Sequence, residues 1–200
     1  MKTLIVSSYH NSRATKIGPV EEMVRQFSEY QTVSEDVVAP GYNLAGFDAL
    51  VLSGSPKLIS KNEYLPQYVE FLRQVELPVM GICYGHQLLA VAHGVRVVRG
   101  DRFIEGFFPV RVLESEPLFR GMPDELRVME SHREHVVQED LASGGLRLLA
   151  DSSTSAVEAI RHKSKPLFGL QFHLERSEET GRKVMGNFFQ FVRELGGSGD

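Results

Sequence analysis

The chain has 200 residues, of which 42% are hydrophobic and 24% charged, and its formal net charge is −4. This size and apolar content predict one globular domain over residues 1–195, followed by a flexible tail at 196–200. The negative net charge argues against the strongly basic surface that proteins use to bind nucleic acids or acidic membrane surfaces. No apolar run reaches the length of a membrane span or a secretory signal core. One cysteine permits no internal disulfide, which favours the reducing cytoplasm.

The first half of the chain alternates extended and helical patterns. Short apolar or β-branched runs predict strands, and apolar residues spaced three or four apart predict helices. In chain order the elements are strand 3–7, helix 18–30, strands 32–38 and 49–52, helix 64–75, strand 77–82 and helix 85–93. This βαβ order predicts a mainly parallel central sheet with helices on both faces.

The second half changes character, because short strands follow one another with turn residues between them. The predicted strands are 108–113, 126–130, 146–150, 156–161 and 167–171, and an amphipathic helix covers 178–195. Antiparallel additions to the sheet are the simplest arrangement for these strands. The expected fold class is therefore α/β, with three layers.

Cys83, the single cysteine, lies in the segment Gly-Ile-Cys-Tyr-Gly-His-Gln of residues 81–87, between a predicted strand and a predicted helix. A sharp strand-to-helix turn pushes a nucleophile out of the sheet, and small neighbours let the backbone bend. The start of the helix also favours thiolate over thiol. A lone cysteine at a strand end is more often a small buried apolar residue. The flanking glycines favour a nucleophile here.

A thiol nucleophile needs a base, and the base needs a group that orients it. His173 has Glu175 two residues away, directly after a predicted strand, and in an extended chain such residues project to the same side. Glu175 can therefore hold one imidazole nitrogen while the other faces the thiol. His86 and His132 are rival bases. We rank both lower, because His86 is expected to point away from the thiol and His132 lies in a polar stretch.

Acyl transfer also needs backbone donors for the oxyanion. The N–H of Tyr84, directly after the nucleophile, supplies one. The second is expected from the Ser-Gly-Ser-Pro loop at 53–56, although taken alone that loop is an ordinary turn. No metal site and no cofactor is expected, because His132 and His135 are interpreted as a polar loop pair.

Three motifs together resemble one known family. They are the elbow Gly81-x-Cys83-x-Gly85-x-Gln87, the Ser-Gly-x-Pro loop and the run Gln-Phe-His-Leu-Glu at 171–175. In this order they are similar to the class I glutamine amidotransferases over nearly the whole chain. The resemblance implies a flavodoxin-like α/β/α sandwich whose cysteine attacks the glutamine side-chain amide. Ammonia leaves, and water then hydrolyses the thioester to glutamate.

The resemblance also implies the role of each matching residue. Cys83 is the expected nucleophile, His173 the acid/base and Glu175 its orienter, while Tyr84 and Ser55 serve the oxyanion. The residues expected to hold glutamine are Gly54, Gln87, Ser131 and His132. Two positions depart from the family pattern. Ser55 stands where glycine is usual, which costs energy if the site needs positive φ, and Leu174 replaces a proline; we expect the triad to survive.

Within the family, residues 117–119, 128–136 and 180–188 are most similar to the glutaminase part of GMP synthase. This similarity implies that a separate synthetase, the ATP-pyrophosphatase subunit, is the partner that receives ammonia. Three dipeptides depart from that pattern and leave the partner open: Met129-Glu130, Arg133-Glu134 and Glu179-Thr180. The alternatives are a free-standing hydrolase of γ-glutamyl amides or peptides with the same triad, and a regulatory domain that keeps the fold.

Overall fold

A computed structural model describes residues 1–9, 16–115 and 117–197. The strands in these ranges are β1 (Lys2–Ser7), β2 (Glu29–Ser34), β3 (Ala49–Leu52), β4 (Val79–Ile82), β5 (Val97–Val112), β6 (Glu125–Val136), β7 (Leu146–Ser152), β8 (Ala159–His162) and β9 (Leu167–Leu170). The helices there are α1 (Gly18–Arg25), α2 (Pro66–Gln74), α3 (Tyr84–Ala92) and α4 (Glu178–Gly196).

The described strands form one sheet in the order β2-β1-β3-β4-β9-β8-β7-β5-β6. The first five strands in this order are parallel, and the pairings from β9 through β8, β7 and β5 to β6 are antiparallel. Helices α1 and α4 pack on one face and α2 and α3 on the other. The predicted flavodoxin-like α/β/α sandwich, with antiparallel additions in its second half, is confirmed.

The central parallel strands are apolar at nearly every position because both of their faces are covered. In β3, Leu50 and Leu52 pack toward α2 and α3, whereas Ala49 and Val51 pack toward α1 and α4. All four side chains are fully buried. The alternation of faces along each strand thus joins the two helical layers through one sheet.

The predictions for the β5–β6 hairpin are wrong in extent. Strands 108–113 and 126–130 were expected, yet β5 begins at Val97 and β6 continues to Val136. Many of the additional residues are polar or charged and give no clear strand pattern, but the two strands satisfy each other's backbone groups. The pairing shifts register between Arg99 and Ile104. His132 and His135 consequently lie in a strand rather than in the predicted loop.

Other boundaries also differ from the sequence expectation. The helix predicted at 18–30 ends at Arg25, the strand predicted at 32–38 lies at Glu29–Ser34, and a 3-10 turn follows it at Glu35–Val37. The strand predicted at 156–161 lies at Ala159–His162. Helix α4 continues through Gly196, while residues 198–200 of the predicted tail lie outside the described residues. In the described part of the chain, no helix has the length and apolar character needed to cross a membrane.

The rival base His86 lies on α3 and is fully buried. It packs against Gly169 of β9, where an added Cβ would come within 2.7 Å of the His86 Nδ1 atom. Neither ring nitrogen of His86 has a hydrogen-bond partner among the described residues, and burial lowers the pKa of His86 to about 3. The folded protein therefore keeps this imidazole neutral in mildly acidic solution.

We expect His86 to make the protein acid-sensitive. Below pH 6.5 His86 takes up a proton in the unfolded chain but stays neutral in the folded chain. Protonation therefore stabilises the unfolded state, and the free energy of unfolding falls as the pH drops. The contribution of this residue is about 2 kcal/mol between pH 7 and pH 5. Urea unfolding of the wild type and His86→Gln at both pH values measures it. An equally large loss of stability in both proteins would contradict the assignment to His86.

Candidate active site

A cleft of about 780 Å³ opens beyond the carboxyl ends of β3, β4 and β9. Parallel strands gather the groups that follow them at one edge of the sheet. The residues predicted for the site that line this cleft are Ser55, Cys83, Gln87, Ser131, His132, His173 and Glu175. The rival base His132 lines the cleft together with His173.

Cys83 occupies a strained turn between β4 and α3. Its φ of 50° and ψ of −102° lie outside the regions that non-glycine residues usually adopt. Such strain costs about 1–3 kcal/mol and persists only where the surroundings impose it. A Cβ on Gly81 would lie 2.7 Å from the carbonyl of Gly85, and one on Gly85 would lie 2.7 Å from the Leu52 oxygen. The flanking glycines are therefore required by close backbone approach.

His173 and Glu175 form a buried pair in the cleft. The Nδ1 atom of His173 lies 2.7 Å from Oε1 of Glu175, and both side chains are less than a tenth exposed. The Ser177 hydroxyl donates to the His173 carbonyl over 2.6 Å and accepts the Met129 N–H over 2.9 Å. These bonds fix the His173 turn against β6.

Charge interactions favour the protonated form of the His173 imidazole. Burial by itself lowers the pKa of His173. The charges of Cys83 and Glu175, together with hydrogen bonds to both side chains, outweigh burial and raise that pKa well above its ordinary value. The site therefore favours an imidazolium beside the sulfur at neutral pH.

Gly54 and the backbone of Tyr84 lie next to Cys83. An added Cβ on Gly54 would lie 3.7 Å from the Cys83 Cβ and 3.0 Å from the His173 Cε1 atom. The Tyr84 backbone begins α3, where N–H groups have no partner within the helix. Its side chain points elsewhere, because the hydroxyl donates to the Glu63 carbonyl over 2.9 Å.

The departure at Ser55 introduces no left-handed strain. Among the described non-glycine residues, positive φ occurs at Asn62, Cys83 and Glu178. The Ser55 hydroxyl donates to the Ser8 carbonyl over 3.0 Å and accepts the Lys57 N–H over 3.2 Å. The serine side chain thus fastens the loop that glycine would leave free.

Leu174 also fits its position. Its side chain is fully buried in the core beneath α1 and α4. Packing replaces the backbone rigidity that a proline would supply between His173 and Glu175.

Glu134 is a residue of the site that the sequence analysis did not single out. Its buried carboxylate accepts the Ile59 N–H over 2.6 Å and the Ser60 N–H over 3.2 Å, which ties β6 to the segment that follows β3. Its carbonyl accepts the side-chain amide of Gln87 over 2.9 Å. Glu134 therefore connects the expected glutamine-binding strand with the segment after the oxyanion loop. In the sequence, Glu134 stands out only because the dipeptide Arg133-Glu134 departs from the pattern of GMP synthase.

Gln171 belongs to the motif at 171–175, but no role in the site was predicted for it. Its amide nitrogen lies 3.7 Å from the Cys83 sulfur, and its oxygen accepts from Gln87 over 3.1 Å. The sulfur also lies 3.9 Å from the Ser131 carbonyl. Cys83 is thereby held between β9 and β6. The cleft is also lined by basic side chains, which the overall composition does not predict: Lys16, Lys57, Arg99, Arg133 and Arg176.

The family model for glutamine amidotransferase class-I matches residues 7–192. The chain belongs to this family. It is 37% identical over 147 residues to the glutamine-hydrolysing GMP synthase subunit of Thermococcus kodakarensis, and the match covers 73% of this chain and 76% of the relative. It is 31% identical over 195 residues to the subunit of the same name from Methanothrix thermoacetophila, with coverage of 96% and 99%.

The chain also resembles a solved crystal structure. That structure is of a Thermoplasma acidophilum protein proposed to be a subunit of GMP synthase. The TM-score is 0.84 at 26% identity, and the match covers 98% of this chain and 96% of the other. The predicted family, and the similarity to the glutaminase part of GMP synthase, are confirmed.

Proposed function

We propose that this amidotransferase hydrolyses the side-chain amide of glutamine through a thioester on Cys83 and passes the ammonia to a separate synthetase. The observation that carries the proposal is the joint position of the strained Cys83 and the buried His173–Glu175 pair in one cleft. A thiol in one cleft with a base that is held by its orienting carboxylate is the arrangement of a covalent acyl-transfer site.

In the first half of the reaction the Cys83 thiolate attacks the amide carbon and a C–S bond forms. His173, charged beforehand, donates its proton to the departing nitrogen, the C–N bond breaks and ammonia leaves. In the second half the neutral His173 takes a proton from water, which attacks the thioester carbon. The C–S bond breaks, and glutamate and the thiolate are released. Glu175 keeps the imidazole oriented throughout.

The negative oxygen that develops in both halves needs donors fixed in advance. We assign this role to the N–H groups of Tyr84 and Ser55. Two sets of hydrogen bonds hold that loop in place. The Ser55 hydroxyl makes one set, and the Glu134 carboxylate makes the other with the turn that follows. Gly54, Gln87, Ser131 and His132 are proposed to surround the amino-acid end of glutamine.

The proposed partner is an ATP-pyrophosphatase synthetase that makes GMP from XMP. The relatives named as glutamine-hydrolysing subunits of GMP synthase support this assignment, one of them across 99% of its own length. A single free thiol suits a reducing cytoplasm, where we place the reaction.

The test measures glutamate release by the purified chain from glutamine, a γ-glutamyl anilide and γ-glutamyl dipeptides, with Cys83→Ala as the blank for contaminating enzymes. The same assay is repeated with the synthetase of the same organism, ATP, Mg²⁺ and XMP. We expect glutamine to be the preferred substrate and the synthetase to stimulate its turnover. Faster turnover of γ-glutamyl peptides would instead identify a free-standing hydrolase. No turnover under any condition would contradict a glutaminase.

A further inference from the structure

A second polar cluster lies beside the cleft and outside the proposed glutaminase machinery, apart from His132. Glu130 and His132 on β6 and Glu158 just before β8 are all buried, and both glutamates are 0% exposed. One ligand atom from each of the three lies within 4.8 Å of the others. The Thr154 hydroxyl joins them, at 2.8 Å from Glu130 Oε2 and 3.4 Å from Glu158 Oε1.

One carboxylate oxygen in this cluster lacks a protein partner. Oε1 of Glu158 accepts from the Ser152 hydroxyl over 2.7 Å. Oε2 is buried and has no hydrogen-bond partner among the described residues. An unpaired buried carboxylate oxygen is costly, and here it lies beside the second buried carboxylate of Glu130. A positive group between the two carboxylates would remove both costs.

The orientation of the His132 ring gives an independent indication. Its Nδ1 atom lies 3.1 Å from the Glu134 carbonyl, an acceptor that only an N–H can satisfy. The Nε2 atom on the other side of the ring lies 3.0 Å from Glu130 Oε2. A metal-binding histidine usually donates one ring N–H to a backbone carbonyl, and the other nitrogen of His132 is directed toward a buried carboxylate.

We propose that Glu130, His132 and Glu158 bind a divalent cation, with the Thr154 hydroxyl as a further oxygen donor. One imidazole nitrogen with two carboxylates suits Zn²⁺, and the two carboxylate charges neutralise the ion. The sequence does not predict such a site, because the two glutamates are 28 positions apart and no local spacing connects them.

A smaller pocket of about 250 Å³ reaches two members of the cluster, His132 and Thr154, from the side of the β5–β6 hairpin. The charged and titratable residues that also line it are Asp101, Arg102, Arg133 and His135. A bound cation would connect β6, which carries Ser131 in the cleft, with the segment between β7 and β8.

The experiment titrates Zn²⁺ into EDTA-treated protein by calorimetry and records Tm with and without the ion. It uses the Cys83→Ala background, because the Cys83 thiol and His173 are a rival Zn²⁺ ligand set. We expect one ion per chain and a higher Tm. Adding Glu158→Gln, which keeps the shape of the side chain but removes its charge, should weaken binding at least tenfold and abolish the rise in Tm. Glu139→Gln, at an exposed carboxylate, should bind like its parent.

Glu130→Gln in the same background is the second variant, so that the result does not depend on one substitution folding well. Circular dichroism identifies the variants that are folded. No Zn²⁺ binding by the Cys83→Ala parent would overturn the proposal. Binding of parental affinity in either folded glutamine variant would do so as well. Neither result depends on glutaminase activity, so the metal site and the proposed function are tested separately.

Discussion

Replacing His173 by Gln is expected to lower the turnover of saturating glutamine by about a thousandfold or more, with the fold intact. Glutamine at this position is close in size and can still bond to Glu175, but it neither donates nor accepts a proton in the reaction. Both halves of the proposed mechanism lose their proton carrier. The fall should appear in kcat rather than in KM, because His173 is not proposed to bind the amino-acid end of the substrate.

A second readout separates this role from a structural one. The pKa of His173 is raised well above its ordinary value by the charges of Cys83 and Glu175, which favours an imidazolium beside the Cys83 sulfur at neutral pH. Loss of that positive charge beside the sulfur should slow the alkylation of Cys83 by iodoacetamide at neutral pH. His162→Gln, at a histidine on β8 outside the cleft, is the control and should change neither kcat nor the alkylation rate. An unchanged alkylation rate in His173→Gln would contradict the proposed interaction.

Replacing Gly181 by Ala is expected to cost about 3 kcal/mol or more of unfolding free energy. The added Cβ would lie 2.0 Å from the Leu174 carbonyl oxygen and 2.8 Å from its carbon. These are backbone atoms between His173 and Glu175, so no side-chain rotation relieves the clash. Either α4 moves away from the turn or the turn that carries the triad moves. The folded fraction should consequently also lose activity.

Gly196→Ala is the matched control for this prediction. It makes the same substitution in the same helix, at a position where an added Cβ meets nothing within 4 Å. Its unfolding free energy should stay equal to that of the wild type or rise by up to about 1 kcal/mol through helix propensity. Urea denaturation of the three proteins measures both effects. Equal urea midpoints for Gly181→Ala and the wild type would contradict the prediction, because they would show that the turn accommodates the added methyl group.

The sequence predicts the parallel half of the sheet well, because strands that are buried on both faces are apolar at nearly every position. The strand at Ala49–Leu52 was predicted to the residue, since four consecutive apolar positions between polar loops allow little else. The β5–β6 hairpin was underestimated for the opposite reason. Around the paired residues Arg99 and Glu134 the strands are polar, and their pairing rests on backbone hydrogen bonds that composition does not reveal.

The candidate site divides in the same way. Cys83 is recognisable because a strand-to-helix elbow needs small neighbours next to it in the chain, and His173 because its carboxylate is two residues away. Glu134 shows no comparable local pattern: its carboxylate meets backbone groups 74 and 75 residues away. Only the folded chain could bring these groups together.

The sequence by itself therefore determined the family, the layered α/β architecture and the residues of the proposed triad, because each depends on local spacing or on the continuity of apolar runs. The tertiary structure alone decided the strain at Cys83, the charged state favoured at His173 and the connection from Glu134 to the loop. It also decided the meeting of Glu130 and His132 with Glu158. The physical reason is that electrostatic energies and close contacts depend on distances in space, which positions along the chain do not determine.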